Sequence, residues 1–278
     1  MRPLPAAIQL VVTDLDGTVL GRTGEVPPSV SDAVARSVDA GVCVMVATGR
    51  TYAAARRHVV ALGADGPVIC CHGALVHAPD GNVLRRVPMR GDDAVAAVAI
   101  GLACGVPVLA FWEDVICTQG FEAFAANPPR VLGLPPGGAT PVPDLTLCVA
   151  ERPPLMIQYL VIGHDVTPEI VRALGPTLTP ERIGLAATGL VTLELTAATA
   201  TKGTALAWVA AHLGIARAGV LAIGDHGNDV AMLEWAAIGL AVENASPAAI
   251  AAAYGRAPHV DDAALAWALG RYIGGVAR

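Results

Sequence analysis

Lysine and aromatic residues are scarce in this 278-residue sequence. Aromatic side chains make up 4% of the residues, and the 24 acidic side chains outnumber the 18 basic ones, which form no long run. A nucleic-acid surface needs a basic stripe or a set of stacking rings. Both shortages therefore argue against a nucleic-acid partner.

The signatures of several common enzyme classes are also missing. The six cysteines include no CxxC pair, the seven histidines show no HxxxH or HExxH spacing, and the sequence contains no GxSxG elbow or Walker loop. These absences argue against a zinc enzyme, a serine hydrolase and a P-loop nucleotidase. The cysteines lie mostly inside apolar runs, so we expect buried free thiols and a cytoplasmic protein.

No apolar run is expected to cross a membrane. Residues 94–112 carry no charge, but Gly105-Val106-Pro107 divides them into a helix and a strand at Val108–Phe111. The short apolar segment before Asp14 has no small-residue cleavage site, so we expect no secretory signal.

Strand-like and helix-like patterns alternate along most of the chain, and 54% of the residues are hydrophobic. Such alternation is typical of a parallel sheet with crossover helices. Between about residues 83 and 188 the elements become shorter, and prolines such as Pro128-Pro129 interrupt them. We therefore expect an α/β protein. Residues 1–82 and 189–278 would form a Rossmann-like core, a parallel sheet with helices on both faces. Residues 83–188 would form an inserted domain, and the strand Val191–Leu195 would belong to the core.

Asp14 and Asp16 directly follow the first predicted strand, Val11–Thr13. Two carboxylates at a strand end are costly to leave unpaired, so we expect a cation there. One carboxylate could attack an electrophile while the other transfers a proton. An acidic turn that caps the next element is the alternative.

Two further strand ends carry polar residues. Thr48, Gly49 and Arg50 follow the second strand and could bind an oxyanion, or Thr48 could cap the next helix. The acidic loop Gly224–Asp229 follows the strand Val220–Ile223. Acidic loops at two strand ends of one sheet are expected to converge on one ion.

Lys202 is the one lysine beside 17 arginines, and it opens a helix. A compact ammonium fits beside a carboxylate and a phosphoryl oxygen, where a guanidinium would be too large. Chance retention of a surface lysine is the alternative, but the strand-to-helix position favours a site. We expect the side chain at the mouth of that site, where its loss leaves the core intact.

In order along the chain, these segments resemble the four motifs of the haloacid dehalogenase superfamily of phosphatases. The matching segments are Asp14–Thr18, Ala47–Arg50, Thr201–Gly203 and Gly224–Asp229. The insert is similar in placement to the large α/β cap of the Cof-type branch, which selects the substrate. Val242–Ala245 also resembles that branch's asparagine-alanine signature. One departure is His72, which stands where the branch usually has asparagine.

The resemblance implies a Mg²⁺-dependent phosphomonoesterase. Asp14 would attack phosphorus to form an aspartyl-phosphate, and Asp16 would act as general acid and then general base. Mg²⁺ would be held by Asp14, the backbone carbonyl of Asp16 and Asp225. Asp229 would orient Lys202 or a metal-bound water.

The resemblance also implies a set of phosphate-binding groups. Thr48, the N–H of Gly49, Lys202 and Asn228 would bind the equatorial phosphoryl oxygens. Arg50 is assigned to substrate binding as well.

The expected substrate is a small phosphorylated metabolite, either a sugar phosphate or a phosphorylated cofactor. A phosphosugar mutase would use the same nucleophile, and a regulator that only binds a phosphometabolite would not need the second carboxylate. In the insert, Trp112, Glu113, Arg130 and Arg152 are candidates for substrate contact, although each type of side chain is commonly structural.

Overall fold

The structure is a computed structural model that describes residues 7–113, 115–120, 138–161, 163–185 and 190–273. The chain divides into two compact units. The first contains Met1–Arg85 and Thr201–Arg278, and the second contains Arg86–Ala200. The stretch Pro128-Pro129 and residue Arg130 lie outside the described residues.

Strands and helices alternate in the first segment of the chain. In order they are β1 (Leu10–Thr13), α1 (Pro28–Asp39), β2 (Cys43–Ala47), α2 (Tyr52–Leu62), β3 (Val68–Cys70), β4 (Leu75–His77) and β5 (Val83–Arg86). A short 3₁₀ turn, Cys71–Gly73, joins β3 to β4.

The inserted segment is richer in antiparallel strands. Its elements are α3 (Gly91–Ala103), β6 (Val108–Phe111), β7 (Ile116–Gln119), β8 (Thr140–Pro141), α4 (Leu145–Glu151), β9 (Met156–Val161), α5 (Thr167–Ala173), β10 (Leu178–Leu185) and β11 (Leu190–Ala197).

The last segment returns to the first unit. Its elements are α6 (Lys202–His212), β12 (Val220–Gly224), α7 (Val230–Trp235), β13 (Ile238–Ala241), α8 (Pro247–Ala252), β14 (Gly255–Arg256) and α9 (Ala264–Tyr272), with 3₁₀ turns at Arg217–Gly219, Gly227–Asp229 and Val260–Asp262. Thr201 caps α6 by accepting a hydrogen bond from the N–H of Thr204, whose side chain in turn accepts from the N–H of Thr201. This reciprocal cap fixes where Lys202 leaves the backbone.

The first unit is built on an eight-stranded sheet in the order β14-β13-β12-β1-β2-β3-β4-β5. β1 lies in its middle, parallel to both β12 and β2. One face carries Leu10 and Val12, which pack with Leu206 and Val209 of α6, while α1 packs against β2 and α9. The predicted α/β fold with a parallel core sheet is therefore confirmed, although β4 runs antiparallel to β3 at one side.

The second unit has its own six-stranded sheet in the order β10-β11-β9-β6-β7-β8. Its core contains Ala97 and Val98 of α3 together with Ile157 and Tyr159 of β9. The hydroxyl of Tyr159 donates to the carbonyl of Ala97 at 2.7 Å, so this buried phenol keeps a partner.

The boundary between the units differs from the sequence expectation at its second crossing. The strand predicted at Val191–Leu195 pairs antiparallel with both β10 and β9, so it belongs to the second unit, and the crossing follows Ala200 rather than residue 188. The first crossing follows Arg85 rather than residue 82. Within the described ranges, no helix combines the length and the apolar character needed to span a membrane.

Candidate active site

Three polar loops meet at one edge of the first unit's sheet. Thr13 at the end of β1 is in register with Ile223 of β12 and with Val46 of β2. The residues that follow these strand ends therefore lie side by side, as expected for the carboxyl edge of a parallel sheet. Asp14, Thr48 and Asp225 begin or lie in these loops.

Lys202 bonds two of the predicted carboxylates. Its Nζ donates to Oδ1 of Asp14 at 2.7 Å and to Oδ1 of Asp229 at 2.6 Å. The side chains of Lys202 and Asp229 are 0% exposed, and that of Asp14 is 6% exposed. The expectation that Lys202 lies at the mouth of the site is wrong, because helix α6 points its first side chain into the interior.

Burial and charge act in opposite directions on this group. Burial alone would lower the pKa of Lys202, but the carboxylates of Asp14 and Asp229 outweigh it and hold that pKa above its usual value. Lys202 is therefore a cation. Burial raises the pKa of Asp14, and the charges of Asp229, Asp225 and Asp16 raise it further against the opposing effect of Lys202. One ammonium does not balance the buried carboxylates of Asp14 and Asp229 together with the half-buried carboxylate of Asp225.

A set of carboxylate oxygens next to Lys202 fits a cation. Asp14, Asp225 and Asp229 each offer one oxygen, and these oxygens lie within 4.8 Å of one another. Burial, followed by the charge of Asp229, raises the pKa of Asp225 to about 6. Hard divalent cations prefer such oxygen ligands, and a cation here would relieve the repulsion.

The hydrogen bonds distinguish Asp229 from the other two acids. Its Oδ1 accepts from Lys202, and its Oδ2 accepts from the backbone N–H of Asp225 at 2.9 Å and of His226 at 3.0 Å. Both oxygens of Asp229 are thus used to hold Lys202 and the loop. Asp225 accepts from the Thr18 hydroxyl at 3.1 Å, which the sequence interpretation did not foresee although Thr18 belongs to the first motif.

Asp16 lies apart from this carboxylate group. Its side chain is 55% exposed, and it binds Arg50 through two bonds, from Nε at 2.8 Å and from a terminal nitrogen at 2.6 Å. The other terminal nitrogen of Arg50 lies 3.1 Å from Nε2 of His58, which also accepts from Arg57 at 3.0 Å. Burial and these two guanidinium groups lower the pKa of His58. Nothing in the local sequence around His58 indicated this contact.

The second motif provides a compact turn. Thr48 is 1% exposed, and its hydroxyl accepts from the N–H of Arg50 at 3.2 Å. The alternative in which Thr48 caps helix α2 is wrong, because α2 begins at Tyr52 with Thr51 at its N-cap. Gly49 has no room for a side chain: a Cβ there would lie 2.5 Å from Cε1 of His72.

Asn228 of the fourth motif lies beside the same histidine. Its Nδ2 donates to Nδ1 of His72 at 3.0 Å. Its Oδ1 is buried and has no hydrogen-bonding partner within the described part of the chain. Gly49 and Asn228, two of the four residues predicted to bind phosphoryl oxygens, are thus both in contact with His72.

The candidate substrate contacts of the second unit take part in structural interactions. Nε1 of Trp112, a largely buried residue, donates to the carbonyl of Arg152 at 2.9 Å. Glu113 forms an ion pair with Arg86. Arg130 lies outside the described residues.

Comparison with known sequences identifies one family. A profile described as haloacid dehalogenase-like hydrolase matches residues 11–124 and 156–269. Among curated proteins, the putative phosphatase YxeH of Bacillus subtilis is 29% identical over 88% of this chain and 91% of its own length. The pyridoxal phosphate phosphatase YbhA of Escherichia coli is 28% identical over 86% of this chain and 89% of its own length.

Comparison with solved structures gives the same fold. BT1666 of Bacteroides thetaiotaomicron, a phosphatase of the same superfamily, superposes with a TM-score of 0.79. The match covers 96% of this chain and 95% of BT1666 at 24% sequence identity.

Proposed function

Because the chain belongs to the haloacid dehalogenase-like hydrolases of the Cof type, we propose that it hydrolyses the phosphate monoester of a small metabolite. The observation that carries this proposal is the buried contact between Lys202 and Asp14 beside the carboxylate of Asp225. A buried lysine that neutralises only part of a carboxylate cluster leaves negative charge for a second cation to balance, and that cation together with Lys202 could bind an anionic substrate.

Asp14 is the proposed nucleophile. It follows β1 at the carboxyl edge of the sheet, where ligands bind in such folds, and one of its oxygens is held by Lys202. Attack on phosphorus in line with the leaving oxygen forms an aspartyl-phosphate and releases the alcohol. Water then hydrolyses this intermediate and regenerates the carboxylate.

Asp16 is the proposed acid and base. It would protonate the leaving oxygen in the first step and take a proton from water in the second. Its exposed position supports exchange of that proton with solvent, while the two bonds from Arg50 hold the carboxylate. Arg50 is thus committed to Asp16, and a direct contact of Arg50 with substrate remains a prediction.

Mg²⁺ is the proposed metal. The carboxylates of Asp14 and Asp225 and the backbone carbonyl of Asp16 would hold it, a set of oxygen donors that suits this ion. When bound, it would neutralise charge on the carboxylates and on the phosphoryl group. Asp229 is assigned to orient Lys202 rather than to bind the ion, and its hydrogen bonds with Lys202 and with the loop support that role.

The equatorial phosphoryl oxygens would be bound by groups from three loops. These are the hydroxyl of Thr48, the N–H of Gly49, the ammonium of Lys202 and the carboxamide of Asn228. Charge accumulates on these oxygens in a loose transition state, so donors fixed in advance lower the barrier.

The second unit, Arg86–Ala200, would select the substrate as a cap. The relative that acts on pyridoxal phosphate supports a small phosphorylated metabolite, either a phosphorylated cofactor or a sugar phosphate. The six cysteines are free, which supports a cytoplasmic location. A phosphosugar mutase would use the same nucleophile. Its product, an isomerised sugar phosphate, would distinguish it from a phosphatase.

The test is a phosphate-release screen over a panel of phosphorylated metabolites, in Mg²⁺ and in excess chelator. We expect Mg²⁺-dependent release of phosphate from at least one ester, and complete loss with Asp14→Asn together with loss of covalent phosphate on the protein. Asp39→Asn, a change at the end of helix α1, is the matched control. Phosphate release by Asp14→Asn would refute the nucleophile, and an isomerised sugar phosphate without free phosphate would favour the mutase.

A further inference from the structure

The turn Cys71–Gly73 belongs to none of the four motifs, yet its backbone contacts two of their loops. The N–H of Cys71 donates to the carbonyl of Arg50 at 3.0 Å, and the N–H of His72 donates to the carbonyl of Thr48 at 3.2 Å. These two bonds lie on either side of Gly49. Gly73 approaches the backbone of Thr201, next to Lys202, so closely that a Cβ would collide with its carbonyl.

The imidazole of His72 adds contacts with a further loop. Its ring covers the Cα of Gly49, and its Nδ1 accepts from Nδ2 of Asn228. His72 is 5% exposed, so this arrangement lies inside the protein.

The backbone of this turn is unusual for its residue types. Cys71 and His72 have φ values of 48° and 57°, in the left-handed region that residues other than glycine seldom adopt. Such strain persists where surrounding contacts impose it, and it is concentrated at functional sites. Here the imposed conformation directs the His72 ring between Gly49 and Asn228.

We propose that His72 is a positioning residue, which fixes the carboxamide of Asn228 relative to Gly49 so that both meet the same phosphoryl group. The inference rests on the proposed function, because it assigns Asn228 to the phosphoryl oxygens. The carboxamide nitrogen carries two hydrogens: one is used by His72, and the second is directed to the substrate. The contact with His72 sets this orientation, since Oδ1 of Asn228 has no partner within the described residues.

Three substitutions at position 72 distinguish the effect of the hydrogen-bond acceptor Nδ1 from the effect of the size of the imidazole ring. His72→Asn places an acceptor close to the position of Nδ1, and asparagine tolerates the left-handed backbone. His72→Gln places its acceptor near the position of Nε2, and His72→Ala has none. We expect kcat/KM to fall about tenfold or more in His72→Ala and His72→Gln, and to stay within about threefold of wild type in His72→Asn.

A double-substitution cycle tests whether His72 acts through Asn228. If it does, His72→Ala has little further effect on kcat/KM in a protein that already carries Asn228→Ala. His77→Ala is the matched control because His77 is also 5% exposed and lies in the same unit, but its Nδ1 bonds to Gly81. We expect His77→Ala to act additively with Asn228→Ala. Additive effects of His72→Ala and Asn228→Ala would overturn the proposal.

A spectroscopic measurement decides the inference independently of turnover. The side-chain amide signals of Asn228, assigned by their loss in Asn228→Asp, should shift in His72→Ala and His72→Gln and stay near the wild-type position in His72→Asn. Unchanged signals in His72→Ala and His72→Gln would overturn the proposal. A wild-type protein that releases phosphate from no ester would refute the proposed function, while these signals would still decide the role of His72.

Discussion

The size of the ammonium matters as much as its charge at position 202. Lys202 is fully buried between Asp14 and Asp229, with both bonds at 2.7 Å or less. A guanidinium is planar and wider, and it carries five donors that need partners. Arginine, the usual basic residue of this chain, would therefore not fit at position 202.

Lys202→Arg is expected to be nearly as damaging as Lys202→Ala. Lys202→Ala removes the charge beside the nucleophile, whereas Lys202→Arg keeps a charge but cannot fit its wider guanidinium into the same contacts. Loss of such a preorganised contact typically costs about 3 kcal/mol in the transition state, or about a hundredfold in rate. Steady-state kcat in saturating Mg²⁺ measures the loss. A Lys202→Arg protein within a few-fold of wild type would show that the compact ammonium is not required.

The burial of Lys202 also revises the expectation for stability. Removing one partner of a buried ion pair leaves a charge without compensation, at a cost of about 3–5 kcal/mol. Lys202→Ala should therefore unfold at lower denaturant concentration than wild type in excess chelator, with a smaller difference in Mg²⁺. If Lys202→Ala and wild type were equally stable both in chelator and in Mg²⁺, the result would contradict the proposed charge balance.

The leaving group should reveal the role of Asp16. Asp16→Asn removes the proton donor, so hydrolysis of alkyl phosphates, whose leaving oxygen needs protonation, should fall by about 10²–10⁴-fold. Aryl phosphates with acidic alcohols should lose much less. The ratio of kcat/KM for the two ester types, compared with wild type, measures this selectivity. Equal losses for both types would assign Asp16 to a role other than proton transfer.

The sequence indicated which strand ends would meet but not every contact between them. Asp14 and Asp225 follow adjacent parallel strands, so their proximity follows from the fold class alone. The bonds from Arg50 to Asp16 and from Asn228 to His72 join side chains of different loops. No periodicity encodes such contacts, and only the folded geometry reveals them.

At the scale of elements, the loop after β1 depends on a glycine. Gly17 has φ +84°, and a Cβ at this position would collide with Oδ2 of Asp225. Gly24 has φ +69° and no atom within 4 Å of such a Cβ. The two glycines therefore share the backbone conformation but differ in their contact with the carboxylate cluster.

Gly17→Ala is expected to weaken Mg²⁺ activation, and Gly24→Ala is its matched control. Both changes should cost about 1 kcal/mol of stability through the left-handed backbone. The added methyl group at position 17 must also displace Asp225, so the Mg²⁺ concentration for half-maximal activity should rise only in Gly17→Ala. An equal Mg²⁺ requirement in the two variants would contradict this arrangement.

Strand β11 shows where element-level prediction failed. Its alternating residues, such as Leu193 and Glu194, predict a strand with one apolar face, and the structure has that strand. Its position after the stretch of short, proline-interrupted elements suggested the core sheet, but its partners are β9 and β10. A period of two identifies a strand without identifying its neighbours, because pairing depends on contacts with distant segments.

At the scale of the whole molecule, the carboxylate cluster that is proposed to bind a cation lowers the stability of the fold when no cation is bound. The folded-state pKa of Asp225, about 6, exceeds its usual value of 3.8. A carboxyl with a raised folded-state pKa carries its full destabilising cost above that pKa. The cost decreases as the pH falls below about 6 and vanishes only near the usual value of 3.8. In the absence of a cation, the first unit therefore carries a destabilising charge at neutral pH.

Asp225→Asn is therefore expected to stabilise the protein while it removes the metal response. At pH 7.5 in excess chelator, it should raise the free energy of unfolding by up to about 3 kcal/mol, since the pKa of Asp225 is raised from 3.8 to about 6 and a one-unit change in pKa corresponds to about 1.36 kcal/mol. This gain should shrink as the pH is lowered through about 6, where wild-type Asp225 takes up its proton. Denaturant melts at pH 7.5 and 5.5 measure both effects.

Addition of Mg²⁺ should reverse the order of the two proteins. A cation that binds only the folded state stabilises wild type by about 4.1 kcal/mol at about a thousandfold excess over its dissociation constant, and Asp225→Asn should respond far less. Asp165→Asn is the control: the pKa of Asp165 is lowered by Thr167 and Arg182 in the second unit, so its Mg²⁺ response should match wild type. If Asp225→Asn were less stable than wild type in chelator, or were stabilised equally by Mg²⁺, the carboxylate cluster would not be the metal site.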